Sequence, residues 1–256
     1  VMQSIDLADT ITLETKDSNA HEISLFVYGQ HTPRQAQEPS LCLPLPSNLA
    51  WKAAEAFLKL CPGAGVSISL TKRIPIAAGL AGGSADAAAV LKGLNEMRGH
   101  PLSKEKLYAL GKSLGADIPF CLHGGTCLAE GTGEILTPLR PFSGHWLLLV
   151  KPGFAVSTRW VFNRLRLSEI TDRPNTKQLA GCIENADFAG AAKAMGNVLE
   201  QVTEKAYPEI TQIRERLVAL GALGSRMSGS GPSVFGLFRN EEVARIAYEA
   251  VSKSWS

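Results

Sequence analysis

The sequence of 256 residues lacks several features that mark particular classes of protein. It contains no run of basic residues, and its formal net charge is only +2, so its charge favours neither nucleic acid nor an anionic membrane surface as a partner. No apolar run approaches the roughly eighteen residues that a membrane-spanning helix needs. Aromatic residues make up 7% of the chain and form no stacking array. We therefore predict a globular protein with no nucleic-acid and no membrane partner.

Cysteine is also scarce and unpatterned. The five cysteines form no Cys-x-x-Cys pair and their number is odd, which argues against both a disulfide framework and a zinc site. The five histidines show no metal-ligand spacing. Reduced thiols are typical of a cytosol-like compartment, so we expect a cytoplasmic protein.

The most informative segment that is present runs from Pro75 to Ala85, between a predicted strand and an alanine-rich predicted helix. Glycines let a backbone approach a ligand closely, and the start of a helix offers unpaired N–H groups and a positive dipole end. Such a segment is typical of a phosphate site. It has no Gly-Lys-Ser/Thr ending, so it is not a P-loop, and it has no G-x-G-x-x-G pattern, so the dinucleotide-binding fingerprint is absent too. A tight turn with Ser84 as helix N-cap is the alternative interpretation. The candidate residues are Pro75, Ile76, Ala77, Ala78, Gly79, Leu80, Ala81, Gly82, Gly83, Ser84 and Ala85.

A second segment places a carboxylate at the exit of a helix. The sequence predicts a helix from Ser103 to Leu114 that ends at Gly115, with Asp117 directly after it. Pro119 favours extended geometry at the residue before it. Asp117 would then lie at the end of an element, where active-site residues often lie. The alternative is that Asp117 only accepts a hydrogen bond from a turn N–H.

A third segment runs from Gly221 to Gly236 and contains Ser228-Gly229-Ser230-Gly231. It follows a helix predicted from Pro208 to Leu220 and leads into a strand that begins at Val234. Its N–H and hydroxyl groups are donors that an anion could use. A long hairpin turn is the alternative.

The remaining pattern mixes strands and helices without strict alternation, which predicts an α+β protein of two domains. Residues 134–144 contain Pro138, Pro141 and Gly144 and are the best candidate for a boundary, so we predict domains 1–142 and 143–256. The predicted elements include strands within 4–28, a loop at 29–47, a helix from Asn48 to Leu60 capped by Ser47, a strand from Val66 to Leu70, a helix from Ala85 to Arg98, a strand from Trp146 to Val150, mostly helix over 176–220, and a last strand and helix from Val234 to Lys253.

The three segments, in this order, resemble those of the GHMP kinases, small-molecule kinases named for galactose, homoserine, mevalonate and phosphomevalonate. The resemblance covers nearly the whole chain. It also includes Ile5 to Ile11, Ala129 to Glu134 and the pair Pro152-Gly153. The Gly-Ala-Asp-Ile-Pro-Phe and Ala-Glu-Gly segments favour the branch whose acceptor carries a diphosphocytidyl group, in the non-mevalonate route to isoprenoids.

The resemblance implies a fold and an activity. The fold is a ribosomal-S5-like N-terminal domain and a ferredoxin-like C-terminal domain with the active site between them. The activity is transfer of a phosphoryl group from ATP, with Mg²⁺, to the 2-hydroxyl of the methylerythritol unit of a cytidine diphosphate sugar alcohol. Asp117 would act as the base, and the Pro75–Ala85 segment would hold the phosphates, with the Ser84 hydroxyl on phosphate or Mg²⁺.

The resemblance also implies where the two nucleotides bind. Asn48, Leu49 and Lys72 would contact adenine; a helix cap for Asn48 and a solvated strand end for Lys72 are the alternatives. Thr158 and Phe162 would line the cytidine pocket, with Phe162 stacked on the base or else buried in the core. Ser228, Gly229, Ser230 and Gly231 would lie beside the phosphates. We expect a small-molecule substrate and a monomer or weak homodimer.

The sequence departs from the family pattern in two respects. Roughly the first thirty residues of that pattern, with its strand lysine and Tyr-His turn, have no counterpart here, and the sequence leaves open whether this reflects truncation, a misassigned start or a reduced variant. Ala77, Ala78 and Ala81 replace family glycines, so any left-handed position should fall to Gly79, Gly82 or Gly83. Three alternatives stay open: another GHMP activity of the homoserine or mevalonate type, a nucleotide-binding module without turnover, and the plastid stroma as location.

Overall fold

The structure, a computed structural model, describes residues 1–16, 22–29, 47–170 and 173–255. The chain divides into two compact units. The N-terminal unit consists of Met2–Ile74 and Ala81–Pro138. The C-terminal unit consists of Val1, Pro75–Leu80 and Leu139–Ser256. The domain limits 1–142 and 143–256 stay a prediction. Of the loop predicted at 29–47, positions 30–46 are not among the described residues.

In its described part, the N-terminal unit contains two three-stranded sheets and four helices. The elements are β1 (Met2–Gln3), β2 (Thr10–Lys16), β3 (Ile23–Gly29), α1 (Leu49–Leu60), β4 (Gly65–Lys72), α2 (Gly82–Met97), α3 (Lys104–Leu114), α4 (Ile118–His123), β5 (Thr126–Glu130) and β6 (Ile135–Pro138). One sheet has the order β2-β4-β3, with β2 antiparallel and β3 parallel to β4. The other has the antiparallel order β1-β5-β6.

The core of this unit forms where helices α1 and α2 meet apolar strand residues. In α1, the buried residues Ala50, Ala53 and Phe57 recur at helical spacing, so they share one face. Phe57, Ile68 of β4 and Leu91 of α2 are almost completely buried in one cluster. This burial of apolar surface supplies most of the driving force for folding and fixes the ends of β4 and α2, which border the Pro75–Ala85 segment.

Two predicted helix starts were wrong. The N-cap of α1 is Asn48, whose Oδ1 accepts a hydrogen bond from the N–H of Ala50 at 2.8 Å, and not Ser47. Ile118 is not extended, because it begins helix α4, with Pro119 in the first turn. Proline is tolerated there, since the first N–H groups of a helix have no intrahelical acceptor.

The described part of the C-terminal unit has one antiparallel sheet of order β7-β9-β8, with six α-helices and a short 3₁₀ helix. The elements are β7 (Trp146–Val150), α5 (Thr158–Arg164), the 3₁₀ helix (Leu167–Glu169), α6 (Thr176–Glu184), α7 (Phe188–Ala194), α8 (Glu200–Ala206), α9 (Glu209–Ala219), β8 (Gly224–Met227), β9 (Val234–Phe238) and α10 (Glu241–Ser252). The helical stretch predicted over 176–220 and the last strand and helix are confirmed.

The core of the C-terminal unit lies where the sheet packs on helices α9 and α10. Ile210, Ile213 and Leu217 follow helical spacing along α9 and are fully buried, together with Phe238 of β9. Strands β8 and β9 therefore have rigid support at the ends that face the Ser228–Gly231 segment. Among the described helices, none combines the length and the apolar composition that a bilayer crossing requires.

Candidate active site

Helix α2 begins with free N–H groups. It starts at Gly82, and its N-cap is Ala81, which has no side chain that could accept a hydrogen bond. The N–H groups of Gly82, Gly83 and Ser84 therefore lack a side-chain cap, and they lie at the positive end of a helix of 16 residues. Ser84 lies inside the first turn, so its predicted alternative role as N-cap is wrong. This start has the donors and the field that an anion needs.

The segment before this helix has a left-handed backbone at two alanines. Ala77 and Ala81 both have φ of 52°, and Gly79 has φ of 74°. The expectation that only Gly79, Gly82 or Gly83 could be left-handed is therefore wrong, because Gly82 and Gly83 are helical and alanines take two of the three left-handed positions. A left-handed L-residue costs about 1–2 kcal/mol, so the surrounding contacts must stabilise this loop.

Those contacts come from the Ser228–Gly231 segment, which belongs to the same unit as Pro75–Leu80. The Ser228 hydroxyl donates to the carbonyl of Gly79 at 2.9 Å, and the Ser233 N–H donates to the carbonyl of Ala78 at 3.3 Å. A Cβ on Gly79 would lie 2.3 Å from the Ser228 carbonyl oxygen, so no other residue fits there without movement. The structure thus brings together two of the three segments that the sequence singles out.

Asp117 lies directly before helix α4 and does not cap it. Its carboxylate makes no cap hydrogen bond, so the alternative in which Asp117 serves only a turn N–H is wrong. Burial raises the pKa of Asp117 above its usual range. The Ser84 hydroxyl lies 4.0 Å from the position that a Cβ would take on Gly115, two residues before Asp117. The start of α2 and the Asp117 turn are therefore neighbours within the N-terminal unit.

Lys72 lies at the end of β4 and is bound by two carboxylates. Its Nζ is 2.8 Å from Oδ2 of Asp86 and also donates to Oδ2 of Asp9. The three side chains are 13%, 5% and 4% exposed for Lys72, Asp86 and Asp9. The other oxygen of Asp9 accepts the backbone N–H groups of Arg73, at 2.5 Å, and Ile74, at 2.8 Å. This ion triad joins the end of β4 to the first turns of α2.

The two carboxylates of the triad have opposite pKa shifts. Burial raises the pKa of Asp86 to about 6, against the attraction of Lys72. Burial also acts to raise the pKa of Asp9, but the hydrogen bonds from Lys72, Ile74 and Arg73 outweigh it, so this pKa is below its usual range. Oδ1 of Asp86 is buried and has no partner among the described residues. As the pH falls, Asp86 therefore binds a proton before Asp9 does.

The residues predicted to contact adenine surround the start of α2. A Cβ on Gly83 would lie 3.5 Å from Cδ1 of Leu49, and a Cβ on Gly82 would lie 3.5 Å from Nζ of Lys72. Asn48 uses its side-chain oxygen as a helix cap. Lys72 is not a solvated strand end, because the triad holds its ammonium. The adenine contacts themselves stay a prediction.

The residues predicted to bind cytidine lie on helix α5 in the C-terminal unit. Oγ of Ser230 is 2.8 Å from Oγ1 of Thr158, so the Ser228–Gly231 segment and the start of α5 are hydrogen-bonded. Phe162 is one helical turn further and is 56% exposed, so the alternative of a core phenylalanine is wrong. An exposed aromatic ring at this place is free to stack on a base, which stays a prediction.

Sequence reasoning missed Asp9 and Asp86. Both are buried carboxylates, and a buried carboxylate is rare unless it is paired. Asp86 gave no distinct sequence signal, because acidic residues are common near helix starts, where they interact favourably with the helix dipole. Asp9 gave none either, because its partner is 63 positions away.

Within the described ranges, no group of three or more His, Cys, Asp or Glu side chains is arranged to hold a metal ion. Cys61, Cys121, Cys127 and Cys182 are free thiols.

A glycine-rich helix start without a side-chain cap lies beside the half-buried Asp117 in an α+β protein of two units, and this arrangement suits transfer of a phosphoryl group. Residues 48–125 match the family description "GHMP kinases N terminal domain", and residues 179–256 match "GHMP kinases C terminal". The chain belongs to the GHMP kinases. The family and the α+β fold expected from the sequence are confirmed.

Two relatives from different bacteria carry the same name. A protein of Acetivibrio thermocellus called 4-diphosphocytidyl-2-C-methyl-D-erythritol kinase is 46% identical over 255 residues, which is 99% of this chain and 86% of the relative. A protein of the same name from Alkaliphilus oremlandii is 45% identical over 98% of this chain and 83% of the relative.

Solved structures agree on the fold. A crystal structure of 4-(cytidine 5'-diphospho)-2C-methyl-D-erythritol kinase matches with a TM-score of 0.74 and 32% identity, covering 98% of this chain and 84% of that one. Homoserine kinase from Cytophaga hutchinsonii matches with a TM-score of 0.77 at 22% identity over 96% of this chain and 81% of that one, which shows a shared fold alone.

Proposed function

We propose that this protein transfers a phosphoryl group from ATP to the 2-hydroxyl of 4-diphosphocytidyl-2-C-methyl-D-erythritol. The observation that carries the proposal is the 46% identity, over 99% of the chain, to a relative named as the kinase of that compound. The reaction would supply isoprenoid precursors by the non-mevalonate route, in the cytoplasm. The substrate is a small molecule, and we expect a monomer or a weak homodimer.

The start of α2 would hold the phosphates of ATP. The free N–H groups of Gly82, Gly83 and Ser84 lie at the positive end of the helix dipole, where negative charge is stabilised. Phosphoryl transfer depends mainly on positioning and on neutralised charge, and backbone N–H groups provide both at little reorganisation cost. The preceding residues Pro75 to Ala81 would complete this cradle.

Mg²⁺ fits the same place through oxygen donors. Magnesium in nucleotide sites is held by few protein oxygens together with phosphate oxygens and water. The Ser84 hydroxyl, in the first turn of α2, would be such an oxygen. When bound, the ion would neutralise charge on the transferred phosphoryl group.

Asp117 would be the general base. It would accept the proton of the acceptor hydroxyl and orient that oxygen for attack on the γ-phosphorus. Burial raises the pKa of Asp117 towards neutral pH, where a base is more effective. Its carboxylate makes no helix-cap hydrogen bond that would compete with this role.

The nucleoside parts would bind to flanking elements. Asn48, Leu49 and Lys72 would contact adenine, with Lys72 acting through its backbone and alkyl chain because its ammonium is held by the triad. Thr158 and Phe162 would contact the cytidine of the acceptor, whose base would stack on the exposed ring of Phe162. The Ser228–Gly231 segment would contact phosphoryl oxygens.

The experiment that tests this function is an acceptor comparison. ADP release from MgATP is measured with the diphosphocytidyl acceptor, with homoserine and with mevalonate, each with and without added cytidine monophosphate. We expect turnover with the first acceptor alone, competitively inhibited by the cytidine nucleotide. Turnover with homoserine or mevalonate, insensitive to that nucleotide, would contradict the proposal. ATP binding without any ADP release would indicate a nucleotide-binding module instead.

A further inference from the structure

Two adjacent N–H groups in the Ser228–Gly231 segment have no acceptor among the described residues. These are the N–H groups of Gly229 and Ser230, whereas the next N–H, that of Gly231, donates to the Ser228 carbonyl at 2.9 Å. Ser230 is only 5% exposed. Gly229 is exposed, so water can bind its N–H. A buried N–H such as that of Ser230 is almost always paired, so its lack of a partner indicates a bound ligand or water.

The direction of the Ser230 N–H is set by Asn197, which lies before helix α8. Nδ2 of Asn197 donates to the carbonyls of Met227, at 2.9 Å, and Gly229, at 2.8 Å. In a trans peptide the C=O and the following N–H point in opposite directions. Because the Gly229 carbonyl faces Asn197, the Ser230 N–H faces the other side of the segment.

Helix α8 holds the same segment at further points. Oε1 of Glu200 accepts the Met227 N–H at 2.8 Å, and the Thr203 hydroxyl lies 3.4 Å from the Ser230 carbonyl. Thr203 is fully buried and Glu200 is 9% exposed, so these contacts are shielded from water. The carbonyls of Gly229 and Ser230 are thus bound on the side of Asn197 and α8, which leaves the Ser230 N–H on the opposite side.

We propose that Asn197 is a positioning residue for phosphoryl binding: its amide fixes the Gly229 carbonyl so that the Ser230 N–H, beside that of Gly229, binds a phosphoryl oxygen of a substrate. This inference rests on the proposed function and deepens it. The phosphoryl group comes either from ATP or from the diphosphate of the acceptor. Asn197 acts through the segment and does not touch the substrate.

The substitution Asn197→Asp isolates this role. Oδ1 of Asn197 accepts the Leu199 N–H at 3.0 Å, and an aspartate retains this local bond. It removes both N–H donors and places a negative oxygen against two carbonyls, so the segment must turn. The matched control is Asn175→Asp, because Oδ1 of Asn175 likewise accepts a backbone N–H, that of Gln178, at 3.0 Å, and no carbonyl depends on its amide.

The measurements are steady-state kinetics with both substrates and calorimetric titration with inorganic tripolyphosphate. We expect Asn197→Asp to weaken tripolyphosphate binding and to lower kcat/KM by about ten- to hundredfold, the range for losing a hydrogen bond to a charged group, while the control stays within about twofold. A higher KM for ATP would assign the phosphoryl group to the nucleotide, and a higher KM for the acceptor would assign it to the diphosphate. A lower kcat with both KM values unchanged would indicate that these N–H groups bind the phosphoryl group while it is being transferred.

Unchanged tripolyphosphate affinity and unchanged kinetics in Asn197→Asp would overturn the inference. If the wild type binds tripolyphosphate but turns over no acceptor, the proposed function fails while loss of binding in the variant still supports the positioning role. If Asn197→Asp melts well below the control, Asn197→Ser replaces it, since serine can cap but cannot reach both carbonyls and adds no charge. Wild-type affinity in the serine variant would equally overturn the inference.

Discussion

At the scale of single residues, the ion triad of Lys72, Asp9 and Asp86 is the most unusual feature of the N-terminal unit. Removing charged groups from water is costly, and a buried ion pair stabilises a protein only when its geometry and hydrogen bonds are good. Asp9 meets this condition, with a lysine and two backbone N–H groups as donors. Asp86 does not, because one of its oxygens has no partner among the described residues.

The triad predicts how stability depends on pH. The pKa of Asp86 is raised from 3.8 to about 6, so its stabilising contribution is complete below pH 3.8 and is lost as the pH rises through 6. Asp86→Asn mimics the protonated acid at every pH. We expect the free energy of unfolding of the wild type to fall relative to the variant by about 2–3 kcal/mol from pH 4 to pH 7.5.

Urea unfolding of both proteins across this range is the measurement. Groups outside the triad titrate equally in the two proteins and cancel in the difference, and Asp9, whose pKa is below its usual range, stays ionised across this pH range. A difference that stays constant with pH, or one in which the wild type gains on the variant as the pH rises, would contradict the predicted pKa of Asp86.

At the scale of elements, the start of helix α2 combines a free N-terminus with a strained entry. Ala81 is left-handed at φ of 52°, which costs an L-residue about 1–2 kcal/mol. Glycine adopts this conformation without that cost but loses about 0.5–1 kcal/mol more chain entropy on folding. We expect Ala81→Gly to stabilise the protein by about 0.5–1 kcal/mol.

The control for this prediction lies in the same helix. Ala89 is exposed in the interior of α2, where glycine costs about 1 kcal/mol, so Ala89→Gly should destabilise the protein. Thermal and urea unfolding of both variants measure whether the free energy of unfolding rises for Ala81→Gly and falls for Ala89→Gly. Destabilisation by both substitutions would mean that Ala81 is not left-handed.

The elements also show what a sequence can and cannot predict. Helices α1, α3 and α10 have regular apolar faces and polar caps, which are local patterns, and their extent was close to the prediction. The start of α4 was missed because Pro119 was taken as a sign of extended backbone, although the first turn of a helix also accepts proline. The left-handed alanines were missed because contacts from a distant segment outweigh the local preference for glycine.

The candidate site likewise contains features that have a local sequence pattern and features that depend on distant contacts. The glycine-rich start of α2 and Asp117 could be predicted, because each depends on residue types next to one another in the chain. The triad and the Asn197 contacts could not, since they join positions 63 and 30 residues apart. Such pairings follow from the tertiary fold and leave no local pattern.

At the scale of the whole molecule, each unit has its own hydrophobic core and its own set of proposed site residues. The N-terminal unit supplies the start of α2, the triad and Asp117. The C-terminal unit supplies the Ser228–Gly231 segment and helix α5. In the proposed function, the first set would hold the nucleotide phosphates and the base, and the second set would hold the acceptor.

The central claim is that Asp117 is the base of a phosphoryl transfer from ATP to the diphosphocytidyl acceptor. It is tested most directly by single-turnover phosphorylation of that acceptor with the wild type, with Asp117→Asn, and with Asp187→Asn, in which an aspartate that caps helix α7 is changed in the same way. A general base typically contributes about 10²–10⁴-fold to the rate, so Asp117→Asn should lose that factor and still bind ATP, whereas Asp187→Asn should react at the wild-type rate. An Asp117→Asn variant that phosphorylates the acceptor within a few-fold of the wild-type rate would contradict the account.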